Sequence, residues 1–328
     1  MTNRRRGLSI TIKVLVSAGL LALLLLFRTS PAEIWRELRA ANPAWLAVSF
    51  SLHALGLLIS AIRWRILISA QGDRAPMGYL IRSYLVGTFF NTLLPSRIGG
   101  DVVRIWDGSR LSRTLARSSA IVLVERLTGI IVLLGFALGA SLARLDMARR
   151  IPVIRVSLFL GLAGLAAVLM LFLPLTGRLL RKIPRTGWAG SAAEKIIELR
   201  TTILAYRDRR DALAKAFFWA LLLQINVVLH FILIGKALGI SIATLDYFIF
   251  IPIVLLIQLI PITINGLGLR EGAYTEIFSF YGISAGAALS FSLIDLAFML
   301  LIGLAGGAVY IARRRPGPAG KTEPPAPV

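Results

Sequence analysis

The chain interrupts its own apolar runs twice, and in the same way. Leu94-Pro95-Ser96-Arg97-Ile98-Gly99-Gly100-Asp101-Val102-Val103-Arg104 returns in degenerate form as Ile260-Pro261-Ile262-Thr263-Ile264-Asn265-Gly266-Leu267-Gly268-Leu269-Arg270, at an offset of 166 residues. A proline removes a backbone donor and stops a helix, while glycines reach conformations that other residues resist. In a segment otherwise fit for lipid, such a break is tolerated only where protein buries it or where it lines a cavity. One break in each half of the chain is the sequence mark of a transporter-type binding site.

The surrounding composition sets the class. Hydrophobic residues make up 57% of 328, and the mean hydropathy is +0.78. Runs near the roughly 20 residues needed to cross a bilayer lie at 8–27, 44–62, 118–142, 153–174, 212–235 and 285–311. Two further apolar stretches, 79–94 and 246–264, end at the repeated motif and lead into more polar helical segments at 101–114 and 268–281. The expectation is an all-α polytopic membrane protein with six full spans and two re-entrant hairpins; eight spans is the alternative. Cysteine is absent and only His53 and His230 represent histidine. Disulfides and thiolate chemistry are therefore excluded, and neither a metal nor another cofactor is expected.

A net charge of +21 could signal nucleic acid, but the basic residues sit in loops between apolar spans, as the positive-inside rule requires. With the N-terminus inside and six crossings, the cytoplasmic segments hold 25 Lys and Arg, against 8 outside. Both termini are thus expected in the cytoplasm, with anionic lipid headgroups rather than nucleic acid as partners. Arg4-Arg5-Arg6 and the stretch to Phe27 read as a retained first span, since Arg28-Thr29-Ser30-Pro31 offers no small-x-small cleavage site. Residues 1–315 form one transmembrane domain in this reading, and the Pro-, Gly- and Ala-rich segment 316–328 a disordered cytoplasmic tail.

The repeat extends beyond the motif. Adding 166 to 44–62 gives 210–228, and adding it to 118–142 gives 284–308; both land on later spans. Ala32-Glu33-Ile34-Trp35-Arg36-Glu37-Leu38-Arg39 resembles Ala193-Glu194-Lys195-Ile196-Ile197-Glu198-Leu199-Arg200, and both patterns suit short helices on the membrane surface. Repeat 1 is expected at about 8–142 and repeat 2 at about 153–311. An odd number of crossings in each half would invert the second repeat relative to the first.

The candidate site residues cluster at these breaks. Asn91 precedes the first, Pro95 ends its apolar arm, and Gly99 and Gly100 allow close approach of another chain or a ligand. Asp101 is placed to cap a helix from Val102, whose first turn carries Arg104. A helix N-terminus within the membrane suits a phosphate or carboxylate, and arginine adds a bidentate donor. The second break offers Asn265, Gly266, Gly268, Arg270 and Glu271. The plainer reading is that Arg104 and Arg270 pair with Asp101 and Glu271. Glu125 and Arg126 point about 100° apart on a helix, so each needs a partner elsewhere, the breaks being the candidates. Asp295, four residues from exact alignment with Glu125, is either functional or a lone protonated carboxylate. Asn226 and His230 share a helix face, where interhelical hydrogen bonding is the ordinary reading. Arg63-Trp64-Arg65 reads as an anchor at a span end.

Three motifs together resemble the membrane region of lysylphosphatidylglycerol synthases, which also occurs alone as a group of flippase-like membrane proteins. They are Asn91-Thr92-Leu93-Leu94-Pro95-(x3)-Gly99-Gly100-Asp101-Val102-Val103-Arg104, Glu125-Arg126-(x2)-Gly129, and Ile260-Pro261-(x4)-Gly266-Leu267-Gly268-Leu269-Arg270-Glu271-Gly272. Ser96 and Arg97 depart from the small residue expected after the proline, and Glu125 stands where Asp is common. The resemblance covers nearly the whole chain but lacks the soluble lysyl-transferring domain. It therefore implies lipid movement rather than transfer, in a bacterial or archaeal plasma membrane. The implied cargo is a phosphate-headgroup lipid, either a phospholipid or a polyprenyl-phosphate carrier. Under that reading all fourteen candidates, from Asn91 to Asp295, are translocation residues and none is catalytic. The alternative is a membrane enzyme, or an accessory or scaffold for a lipid-modifying or glycan enzyme.

Overall fold

A computed structural model describes residues 3–94, 99–112, 114–182, 187–204, 209–260 and 262–313. Pro95, Pro261 and the tail 316–328 lie outside the described residues. Thirteen α-helices follow in order: α1 Asn3–Phe27, α2 Pro31–Ala40, α3 Pro43–Ser69, α4 Met77–Leu93, α5 Gly99–Ser112, α6 Leu115–Leu142, α7 Pro152–Phe172, α8 Pro174–Leu180, α9 Gly187–Leu204, α10 Arg210–Ala237, α11 Thr244–Ile257, α12 Leu269–Ser279 and α13 Ala285–Ala312.

Local chemistry sets the helix starts. Ser30, Asn42, Thr114 and Ser284 each accept a backbone N–H of the first turn, and prolines occupy the first position of α2 and α3. Among the described residues, five helices are long and apolar enough to cross a membrane: α3, α6, α7, α10 and α13. The expected first span corresponds to α1. Its segment Lys13–Phe27 joins α2 at an 85° bend, and the pair makes a sixth candidate if counted as one span. α4 and α11, at 17 and 14 residues, reach about 26 and 21 Å at 1.5 Å per residue. Both fall short of the roughly 30 Å hydrocarbon core.

Two boundaries differ from expectation. α3 continues to Ser69 rather than ending near residue 62, because Ile66, Leu67 and Ile68 keep it apolar; it carries Arg63 and Trp64 into the protein. α5 begins at Gly99, so Asp101 lies in its first turn instead of capping it.

The helix contacts recur when the halves are exchanged. α4 packs on α13 as α11 packs on α6; α5 on α6 as α12 on α13; α2 on α13 as α9 on α6. α3 and α10 pack on each other. α7 lies on α6 and α11, whereas α1 lies on α12. Close crossings depend on small residues, as expected where lipid is the solvent. A Cβ at Gly306 of α13 would collide with the Leu85 carbonyl oxygen of α4. The core divides into an aromatic cluster around Phe231, Phe250, Tyr274, Phe278 and Phe291 and a smaller one around Trp64, Leu80 and Ile121. Large apolar side chains such as Phe159, Leu162, Leu169, Leu304 and Ile311 face outward, where a bilayer would cover them.

Gly306→Ala is expected to lower the thermal midpoint of the detergent-solubilised protein, at a cost of about 1–3 kcal/mol from overpacking. Gly135→Ala, on an exposed helix face with nothing near its Cβ position, should be neutral or slightly stabilising. Equal melting of the two variants would contradict the α4–α13 crossing.

Candidate functional site

Two buried charge clusters draw on the spanning helices, and α3 contributes to both, through Arg63 and His53. In the first, the Glu125 carboxylate of α6 is shared by three donors. Arg63 of α3 donates through Nη2 to Oε1 at 3.0 Å, Tyr84 of α4 donates its hydroxyl to the same oxygen, and Arg104 of α5 pairs with Oε2. Arg104 also lies 3.6 Å from Asp101 and stacks over the rings of Tyr84 and Trp64 at 4.0 and 4.9 Å. Asp101 in turn pairs with Arg126. Glu125 and Arg126 thus bind different partners, as their divergent directions require, and α5 supplies one to each, Arg104 and Asp101. Among the described residues the cluster holds three guanidinium groups against two carboxylates. Nε and Nη1 of Arg63 and Nε of Arg104 are buried without an acceptor there.

α5 reaches this position because glycine allows it. A Cβ at Gly100 would strike the Gly87 carbonyl and the Asn91 side chain of α4, and the Gly100 N–H donates to Asn91 Oδ1 at 2.6 Å. Gly99 is equally confined, against Leu94 and the Phe90 carbonyl. The tight α4–α5 crossing holds Arg104 over Glu125.

The second cluster is built on α12 and α13. Arg270 donates to Glu271 Oε1 through Nε at 3.0 Å and Nη2 at 2.7 Å, and through Nη1 to Asp295 Oδ2 at 3.2 Å. Ser292 donates to Glu271 at 2.8 Å, and the other Glu271 oxygen accepts from the Gly268 N–H at 2.7 Å, securing the start of α12. Asp295 is no lone carboxylate: Oδ1 lies 3.3 Å from His230 Nε2 of α10 and 3.9 Å from His53 Nδ1 of α3. Here one guanidinium faces two carboxylates, and two histidines complete the group.

The second break meets the end of α4. Asn265, with φ 52°, donates through Nδ2 to the carbonyls of Asn91 and Leu94 at 2.8 and 3.1 Å, so the second break caps the end of α4. Gly266 and Gly268 also take positive φ, 81° and 80°, which non-glycine residues avoid. α1 closes on this loop: Ser17 Oγ accepts from the Ile264 N–H at 2.9 Å, and a Cβ at Gly268 would strike Leu20.

The expected pairs Arg104–Asp101 and Arg270–Glu271 are present, yet each arginine also takes a second carboxylate from a spanning helix. Asn226 donates to the Leu52 carbonyl at 2.9 Å and His230 contacts Ser49, the interhelical bonding expected of that face. Arg63 and Trp64 are the correction: both are buried rather than anchored at an interface, and Arg63 completes the first cluster. The apolar Ile66-Leu67-Ile68 beyond them was the available signal. Tyr84 and Ser292 were missed as partners because a lone polar residue in an apolar helix does not name what it faces. His53, read as an interhelical hydrogen bonder, does bond His230.

Paired charges inside long apolar helices, with a helix break that touches the end of α4, define an all-helical polytopic membrane protein with a buried polar site. The chain belongs to the family described as lysylphosphatidylglycerol synthase TM region, which matches residues 10–307. Two relatives from Methanothermobacter thermautotrophicus carry the name UPF0104 membrane protein. One is 25% identical over 306 residues, covering 85% of this chain and 87% of its own length; the other is 24% identical over 326 residues, covering 90% and 94%. A protein of Haloferax volcanii named glycosyltransferase AglD is 23% identical over 340 residues, 91% of this chain but 54% of that protein. No solved structure matches the chain.

Glu125→Gln strands two buried arginines and is expected to cost about 3–5 kcal/mol of stability. Asp101→Asn leaves Arg104 paired with Glu125 and loosens the pair with Arg126, whose side chain is 37% exposed, so it should cost less, about 1–2 kcal/mol. Thermal unfolding in detergent checks the order; the reverse ranking would contradict Glu125 as the hub.

Proposed function

We propose that the protein moves a phosphate-headgroup lipid between the leaflets of the plasma membrane and performs no covalent chemistry. The observation that carries this reading is the excess positive charge around Glu125, with three buried arginine N–H groups that no described residue accepts. A phosphate brings several strong acceptor oxygens at the right charge. The second cluster, with its arginine fully engaged, serves as counterweight rather than as a second phosphate clamp. The fourteen sequence candidates thereby divide. Arg104, Glu125, Asp101 and Arg126, joined by Arg63, bind; Asn91, Gly99, Gly100 and Asn265 shape the loops; Gly266 and Gly268 bend the second loop. Arg270, Glu271 and Asp295 balance charge, and Pro95 lies outside the described residues.

The recurrence of helix contacts on exchange of the halves supports an inverted repeat. The short α4 and α11 support two re-entrant hairpins meeting near the midplane through Asn265. With both termini in the cytoplasm, the hairpins enter from opposite faces, and rocking of one half against the other alternates access. The similarity to a protein named a glycosyltransferase favours a lipid-linked glycan intermediate over a bulk phospholipid. It also supports the second reading, an accessory partner of a glycan enzyme.

Purified protein in liposomes should accelerate the sidedness change of a labelled polyprenyl phosphate. Arg63→Gln and Arg104→Gln should each slow it at least about tenfold, a loss of roughly 1.4 kcal/mol of differential binding, while still inserting. Wild-type protein that leaves both polyprenyl-phosphate and phospholipid sidedness unchanged would overturn transport. Full activity in both variants would move the anion site elsewhere.

A further inference from the structure

His53, His230 and Asp295 come from three helices, α3, α10 and α13, yet their ligand atoms converge. His53 Nδ1 and His230 Nε2 are 3.4 Å apart, His230 Nε2 and Asp295 Oδ1 3.3 Å, and His53 Nδ1 and Asp295 Oδ1 3.9 Å. A triangle with those sides has a circumradius of about 2.1 Å, the length of a zinc–nitrogen or zinc–carboxylate bond.

The hydrogen bonds around His230 explain why that centre calls for a cation. The Ser49 carbonyl, 3.0 Å from His230 Nδ1, only accepts, so Nδ1 carries the proton. The Ser49 hydroxyl spends its own hydrogen on the His230 carbonyl at 2.9 Å and therefore faces Nδ1, at 2.8 Å, as a second acceptor. A neutral His230 then turns the bare lone pair of Nε2 toward the Asp295 carboxylate. Two acceptors that close repel unless a positive species lies between them. The charges agree, since Glu271 and Asp295 exceed Arg270 by one negative charge. Arg270 occupies only Oδ2, leaving Oδ1 for the metal and orienting the carboxylate, as supporting groups commonly do around metal ligands. Phe231 and Phe298 pack against the histidines, with Phe50 on Phe298, and this apolar wall strengthens the electrostatics.

We propose that His53, His230 and Asp295 form a site for a single divalent transition-metal ion of the zinc type, pinning α3, α10 and α13 together. This departs from the expectation, raised by two histidines and no cysteine, that no metal is bound. Three protein ligands leave the fourth position to water or another ligand. The side chains of His53 and Asp295, 25% and 14% exposed, leave a path of entry. Neither the anion site nor transport is required for the assignment.

Full-length protein carrying no polyhistidine tag, equilibrated with Co²⁺ in detergent and dialysed, should retain about one ion per chain with the visible bands of four-coordinate cobalt. Zn²⁺ should displace it and raise the thermal midpoint. His53→Ala, which removes the least buried ligand, should lose the bands and the zinc-induced shift while still melting cooperatively; Asp295→Asn provides the second variant. Retention of no more metal by the wild type than by His53→Ala would overturn the site. So would a ¹⁵N spectrum showing the wild-type His230 ring doubly protonated after Zn²⁺ addition, which would assign the centre to a proton.

Discussion

Charge buried among apolar helices must be neutralised by the protein itself, and the rest of this structure follows from how Glu125 is neutralised. Its two oxygens take Arg63, Tyr84 and Arg104 from α3, α4 and α5, so one carboxylate on α6 ties together most of the first half. An unpaired charge in the hydrocarbon region costs at least about 2.5 kcal/mol; the α4–α5 crossing at Gly87 and Gly100 is what brings Arg104 within reach. Packing without side-chain bulk and pairing of buried charge are thus one constraint seen from two sides.

The second half meets the same constraint differently. Arg270 is satisfied within its own helix turn by Glu271 and then by Asp295. Where the first half recruits a second arginine, this half recruits two histidines. The result is a pair of clusters of opposite excess charge, with the second helix break touching the end of α4 through Asn265. Opposite excesses in a dry interior suit ligands of opposite sign, an anion at one and a cation at the other.

Much of this was legible in the chain. The long spans and the helices flanking each break follow from apolar run length, and the pairing of Arg104 and Arg270 with nearby carboxylates from their spacing. The divergence of Glu125 and Arg126 follows from helical geometry. Arg63 was misplaced because a basic-aromatic pair at an apparent span end looks like an interface anchor, and only the three apolar residues beyond it argue otherwise. Asp295 could not be assigned a partner because His53 and His230 lie 242 and 65 residues away and carry no shared motif.

Sequence by itself determined the class, the helices and the two breaks, because each depends on residues close along the chain: apolar length, proline, glycine and capping side chains. Only the tertiary structure decided which charges meet. Partners on different helices are chosen by crossing points, and those depend on where small residues let backbones approach. The gathering of His53, His230 and Asp295 is the clearest case: three unremarkable polar residues on three apolar helices become a convergent group only when α3, α10 and α13 pack.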